Sequence, residues 1–484
     1  SGAAGSGSKK DNGKAADKKK PAVRASFARI ASIAVPEVPL LAMAMIMLVI
    51  SSGSMLVVPY LFGLIIQAIK DGDQTGLLRS IYGLLVFAGI GSVSTLFRAM
   101  GFQVAGQRLV ARMRVDLFNA LIKQDVSFYD KEKIGELTNR ISADTQVVQE
   151  MVTTTLSMLL RNMFTVVGAI VVLFVTSWKL TLVMLSVVPV IAIGAVIYGR
   201  AVQNMQKTFQ DKLAASVAYA SEMLAAIRTV RTFVREPKCR DEFRDAVVES
   251  YTWGAKIAVA WAVFGGAIFM LSQGAIILVI WYGATQVFAH ALDLAQLISF
   301  MLYSITIAGS VAMLSSVFGT IMQAIGASSR VFELIDRNVE IPPEGGDAPE
   351  AGEGVIRFEK VQFAYPTRTD VTVLQDVSFT LNPTKVTAIV GRSGSGKSTI
   401  VQLIERFYDP TGGQILFNGT DLRDLDPAQY RRNLGYVRQE PTLFSKSIRD
   451  NILFGAENSG DITEEQIFAA AKAANCHDFI MSFP

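Results

Sequence analysis

The residues Gly391-Arg392-Ser393-Gly394-Ser395-Gly396-Lys397-Ser398, followed by Thr399, spell a complete G-x-x-x-x-G-K-S phosphate loop. The apolar run Val386-Thr387-Ala388-Ile389-Val390 leads into it as a buried strand does, and Ile400, Leu403, Ile404 and Phe407 follow at helical spacing. Strand, glycine turn and helix N-terminus are the setting in which this motif binds phosphate. Glycine lets the backbone approach an anion, and the loop amides and the positive helix end face it. Lys397 is placed to reach the outer phosphates, and the Ser398 hydroxyl can ligate Mg²⁺. The expected ligand is ATP or GTP.

Working outward, hydrophobic residues make up 51% of the 484 and charged residues only 18%, which favours a membrane protein over a soluble enzyme. Cys239 and Cys476 match no zinc or redox spacing, and His290 and His477 are the only histidines. Disulfide scaffolds, metal clusters and Ser-His-Asp hydrolases are therefore excluded. Nothing in the small net charge of +4 suggests a nucleic-acid partner.

Residues 1–35 are rich in Gly, Ala, Ser and Lys without apolar periodicity, which reads as a disordered basic leader and not a secretory signal. The sequence begins without Met, so a processed or trimmed form is expected, whether from a transit peptide or an expression scar. Apolar runs at 39–69, 77–104, 151–176, 180–199, 257–289 and 295–325 are each long enough to cross a bilayer, giving six expected spans in contact with lipid. The connections at 70–76 and 177–179 are short and force adjacent helical hairpins.

Between the spans, Leu109, Met113, Leu117 and Leu121 form one stripe and Arg108, Arg112 and Asp116 another, so the second helix continues into water as an amphipathic rod. Residues 200–250 repeat that design. Both extensions are rich in Lys and Arg, so their side is the cytoplasm or the mitochondrial matrix. The phosphate loop falls on that same side after an even number of spans. Residues 337–353, rich in Pro, Gly and Glu, read as a linker. From Val355 a strand pattern runs to Tyr365, and Asp376–Leu381 reads as its hairpin partner.

Six spans, long helical extensions and a following phosphate loop together resemble an exporter-type ABC half-transporter of subfamily B. The resemblance is carried by Phe363-Ala364-Tyr365-Pro366, the phosphate loop, Tyr408-Asp409-Pro410 with Gly412-Gly413, and Arg438-Gln439-Glu440-Pro441-Thr442-Leu443-Phe444. Ser127-Phe128-Tyr129-Asp130 with Gly135-Glu136-Leu137 and Arg140 resembles the family's first coupling segment, and Arg228-Thr229-Val230-Arg231 lies near the second. Ile197-Tyr198-Gly199-Arg200 adds a likeness to mitochondrial inner-membrane members, some of which export peptides. The implied fold is an all-α six-helix transmembrane domain over 36–336 and, after the linker, the N-terminal part of an α/β P-loop nucleotide-binding domain over 354–484.

The resemblance implies that Tyr365 stacks on adenine and that Gln439 joins Ser398 around Mg²⁺ while sensing the γ-phosphate, making Lys397 and Gln439 the catalytic candidates. An aromatic face suits a flat purine, and an amide oxygen is a hard ligand. A strand-end core aromatic is the alternative reading of Tyr365. The sequence to Pro484 holds no Leu-Ser-Gly-Gly-Gln signature, no hydrophobic strand ending in Asp-Glu and no switch histidine, so a truncated chain is expected, with a naturally incomplete subunit as the alternative. The implied activity is ATP-driven export by a homodimer, in the mitochondrial inner membrane or another membrane; a nucleotide-regulated subunit that gates or scaffolds a channel is the rival.

Arg98 and Arg161 interrupt otherwise apolar spans, roughly 27 and 24 Å from the short outer loops at about 1.5 Å per residue. Such charges either snorkel to the head groups or line a water-filled cavity. In the second case four guanidinium groups in a homodimer would favour peptides or organic anions as cargo.

Overall fold

The computed structural model describes residues 29–30, 32–350, 354–456 and 460–483. Most of the expected leader and residues 351–353 of the expected linker lie outside them. The chain divides into two compact units, one of residues 1–122 and 133–338, the other of residues 123–132 and 339–484.

The first unit is entirely helical among the described residues. Helix α1 (Val38–Asp71) runs through Pro59 without a break and ends at Gly72, whose left-handed φ of 69° closes the helix. Helix α2 (Gln74–Ile122) follows after two residues, held by Asp73, which accepts from the amide and hydroxyl of Thr75. Its inner part carries the anticipated stripe: Leu109, Met113, Leu117 and Leu121 are all at most 5% exposed. Arg112 and Arg108 on the other stripe turn to the buried carboxylate of Glu37, at 3.0 and 3.4 Å.

The chain re-enters this unit through α3 (Ile134–Asn139) and α4 (Thr145–Glu150), each followed by a π-helical turn, Arg140–Asp144 and Met151–Thr155. Then come α5 (Leu156–Leu185), α6 (Val188–Ala225), α7 (Ile227–Thr232), α8 (Glu236–Phe288) and α9 (Leu294–Ile335), the last opened by an Asp293–Gln296 capping box. Instead of a loop at 177–179, a single non-helical residue, Ser177 (φ −162°, ψ 103°), kinks the helix, and a further turn falls at 186–187 ahead of Pro189. One extended residue is enough because Thr181 resumes the helical bonding at once, its hydroxyl donating to the Ser177 carbonyl.

Five continuous helical runs are long and apolar enough to cross a membrane, and the run from Ile134 to Ala225, kinked at Ser177, holds two of the six expected spans. No more than 33% of the most apolar window of any run is buried within the protein. Large side chains such as Val175, Met270 and Phe288 face outward, an arrangement stable against lipid and not against water.

The second unit is built on a four-stranded antiparallel sheet of order β2-β1-β3-β4, from β1 (Ile356–Ala364), β2 (Thr372–Leu381), β3 (Gly412–Phe417) and β4 (Thr420–Asp421). Alternation along β1 buries Ile356, Phe358, Val361 and Phe363, with a bulge between Phe358 and Val361 that restores the inward phase. Helix α10 (Lys397–Ile404) lays Ile400 and Leu403 against this face, and α11 (Pro427–Arg431) adds the fully buried Tyr430. The expected linker is partly tied down here, since the Gly345 amide donates to Asp426 and Asp347 exchanges backbone bonds with Asp424 and Asp426. The segment 123–132 also belongs to this unit: its helix α12 (Val126–Lys131) seats Val126 on the same core.

Candidate nucleotide-binding site

The expected buried strand at Val386–Val390 is not observed. These residues are irregular and pair with no described strand, and Val386 and Val390 are exposed, only Ile389 packing on the core. A strand of this composition is stable when neighbours cover both edges, and the four-stranded sheet reaches neither. The phosphate loop is formed nonetheless, because its geometry is local.

Gly394 and Gly396 adopt left-handed φ of 81° and 88°, which turn the chain into α10. A Cβ at Gly396 would meet the Leu374 Cδ2 methyl at 2.7 Å and sit at a left-handed φ, so glycine is favoured there on both counts. A Cβ at Gly394 would meet nothing within 4 Å, and Arg392, Ser393, Gly394, Ser395 and Ser398 are exposed, leaving the loop open to solvent although the Ser395 amide donates to the Arg392 carbonyl. Lys397 folds back over Gly391 and Arg392 and donates to both carbonyl oxygens at 2.9 Å. Its ammonium thus stands over the loop at the place where phosphate oxygens would be its partners. An open loop, a cation above it and a free Ser398 hydroxyl fit a triphosphate with Mg²⁺. Gln439 is exposed in the irregular run 434–446.

Tyr365 is half-buried at the end of β1. Its hydroxyl donates to Gln402 Oε1 at 2.8 Å and lies 2.9 Å from Thr399 Oγ1, which completes the pair by donating to it. Thr399 and Gln402 share one face of α10 at i and i+3, a spacing visible in the sequence, but nothing there showed that Tyr365 would reach it. The Tyr365 ring meets Phe363 and Tyr408 edge to face, with centroids 5.0 and 5.4 Å apart. Gln402, Tyr408 and Asp130 are the site's neighbours that sequence reasoning missed. Tyr408 and Asp130 stood in noted motifs without an assigned part.

Asp130 lies on α12, whose N-cap Asp125 accepts from the Phe128 amide at 3.2 Å and from the Ser127 hydroxyl. Burial alone would raise the Asp125 pKa, and these bonds hold it below the ordinary carboxylate value. Tyr408 donates its phenolic hydrogen to Asp130 Oδ2. Burial, with that carboxylate beside it, pushes the phenol pKa up.

In the helical unit, Arg98 is 8% exposed, donates Nη1 to Ser157 and leaves Nε without a partner. The charged group acting on it is Arg161, another cation, itself half-buried. Ser157, the partner of Arg98, lies one helical turn before Arg161 on α5.

A multi-span helical unit and a phosphate-loop unit on one polypeptide define a membrane protein that binds nucleoside triphosphate. The model of the ABC transporter transmembrane region matches residues 41–311, more than half of the chain, and that of the ABC transporter nucleotide domain matches 374–482. The chain belongs to the ABC transporter family, and its relatives are members of subfamily B. It is 42% identical to ABC transporter B family member 1 of Dictyostelium discoideum over 96% of this chain and 51% of that protein. It is 36% identical to the mitochondrial ATP-binding cassette sub-family B member 10 of Mus musculus, over 93% of this chain and 64% of that protein. The ABC-type oligopeptide transporter ABCB9 of Mus musculus is 35% identical over 95% and 61%. The chain thus spans about half to two thirds of the length of the curated relatives it matches.

Proposed function

We propose that the protein is a half-transporter that dimerises, in the reading favoured here with a second copy of itself, and exports a peptide or organic anion at the expense of ATP. The observation that carries this reading is the open phosphate loop under Lys397 on the same chain as the lipid-facing helices. Tyr365 stacks the adenine, the loop amides and Lys397 hold the phosphates, and Ser398 with Gln439 would hold Mg²⁺, whose charge favours the departing phosphate oxygens. In turnover Lys397 exchanges its two carbonyl partners for phosphate oxygens. Closure of two nucleotide units on each other moves the segments near 125–140 and 220–235, and the membrane helices follow as levers. An exposed apolar tip at Phe233 and Val234, beside Arg228 and Arg231, supports a partner surface on a second copy.

Arg98 and Arg161 support anionic cargo: two neighbouring cations within the membrane unit, one buried and incompletely bonded, call for negative charge. The basic helical extensions and the mitochondrial relative support an inner-membrane location with the nucleotide unit in the matrix. The test is uptake by sealed vesicles of the complete protein, comparing anionic with neutral peptides in the wild type and in Arg98→Gln and Arg161→Gln. ATP-dependent uptake with an anion preference that weakens in the variants is expected. Uptake independent of ATP rejects the pump, and an unchanged preference in both variants rejects the cargo assignment.

A further inference from the structure

Tyr408 makes no hydrogen bond to the phosphate loop, yet two segments remote in sequence meet on it. Its hydroxyl is bonded to Asp130 on α12, 278 residues away. Its ring stands at 85° to Tyr365, and Phe363 lies 5.6 Å off on the same side of the sheet. Tyr365 in turn is bonded through Oη to Thr399 and Gln402 of the helix that begins at Lys397. Asp130, Tyr408, Tyr365 and the first turns of α10 thus form one unbroken series of contacts. A T-shaped pair resists rotation of either ring, and Phe363 and Tyr408 together hold Tyr365 from two edges. The Tyr408 side chain is 5% exposed whereas Asp130 is exposed, so the hydroxyl needs the carboxylate more than the carboxylate needs the hydroxyl.

We infer that Tyr408 is a positioning residue for Tyr365, that its hydroxyl bond to Asp130 sets the angle of the adenine-stacking ring, and that adenine binding is thereby linked to the seating of α12. The inference rests on the reading of Tyr365 as the stacking group. The linkage is reciprocal: whatever unseats α12 weakens adenine binding, and adenine binding steadies α12 by the same factor. Lys397, which with the loop holds the triphosphate arm, bonds to the carbonyls of Gly391 and Arg392 and to neither tyrosine, so that arm joins the series only through the backbone of α10. Phosphate and adenine affinity should therefore separate, which a merely structural role for Tyr408 would not produce.

The experiment uses the full-length dimer in lipid nanodiscs and measures affinity for MgATP and for magnesium tripolyphosphate by displacement of a fluorescent nucleotide, with melting temperature alongside. Tyr408→Phe keeps the ring and removes the bond, and Asp130→Asn weakens it from an exposed position where folding is not at stake. Each is expected to raise the Kd for MgATP roughly three- to tenfold, the net worth of one such hydrogen bond, and the double variant no further. Tripolyphosphate affinity should hold, and the effect should vanish in a Tyr365→Ala background. Equal weakening of both ligands, or full ATP affinity in both single variants while Tyr365→Ala loses it, overturns the inference alone. Full ATP affinity in Tyr365→Ala overturns the stacking reading and the inference with it.

Discussion

Arg330 closes a two-bond fork on Asp144, donating Nε to Oδ2 at 3.0 Å and Nη2 to Oδ1 at 2.8 Å. The pair ties the inner end of α9 to the π-helical turn after α3, and it matches the planar geometry that guanidinium and carboxylate share. Asp144 is nearly buried while the Arg330 side chain is 49% exposed, so solvent screens part of the attraction.

Replacing Arg330 with Ala leaves the buried Asp144 carboxylate with only Arg140, 3.8 Å away, as a cationic partner, and we expect a loss of about 1–2 kcal/mol, read as a lower melting temperature of the detergent-solubilised protein. Arg330→Lys should recover less than half of it, because an ammonium cannot make the fork. A lysine variant as stable as wild type would show that only the charge matters.

Lys397→Ala is expected to abolish ATP turnover in the full-length protein without lowering its melting temperature. The lysine's partners are two loop carbonyls that water can satisfy, so its removal leaves no buried polar group unpaired. An ATPase rate equal to wild type would refute the role given to Lys397, and loss of folding would assign the residue to structure.

Tyr365→Ala should weaken ATP binding by about 1–3 kcal/mol, the range for an aromatic side chain stacked on a base. Tyr365→Phe keeps the ring and forfeits the bonds to Thr399 and Gln402, so it should retain most of the affinity. Isothermal titration with MgATP separates the two, and equal affinity for Tyr and Ala would remove Tyr365 from the site.

At the start of β3, Gly413 holds φ 75° opposite the bulge in β1, and a Cβ there would lie 2.3 Å from the Lys360 carbonyl oxygen and 2.5 Å from that of Glu359. Both obstacles are backbone, so no side chain can yield. Gly413→Ala should cost about 3 kcal/mol and lower the melting transition of the nucleotide unit. A transition unchanged by the alanine would mean that the bulge rearranges at no cost.

Whatever depends on spacing along the chain was legible in the residues. Leu109, Met113, Leu117 and Leu121 repeat at the period of a helix, and that helix buries all four. The hairpin of β1 and β2 followed from alternation, and the phosphate loop from glycines whose dihedral freedom is an attribute of each residue. Only the tertiary structure decided which segments meet. Val386–Val390 has the composition of a buried strand, but a strand is made by its neighbours, and none of the described strands flanks it. Arg98 and Arg161 stood out as charges in apolar spans, and only the fold, which sets Arg98 of α2 beside Ser157 at the start of α5, made one of them a buried, half-satisfied cation. Tyr365 could be read as an adenine platform or as a core aromatic, and only the fold shows its ring half-buried against Phe363 and Tyr408 with its hydroxyl bonded to α10. The bond from Tyr408 to Asp130 spans 278 residues, a distance over which periodicity and motif spacing carry no information, because contact there is set by how the whole unit packs.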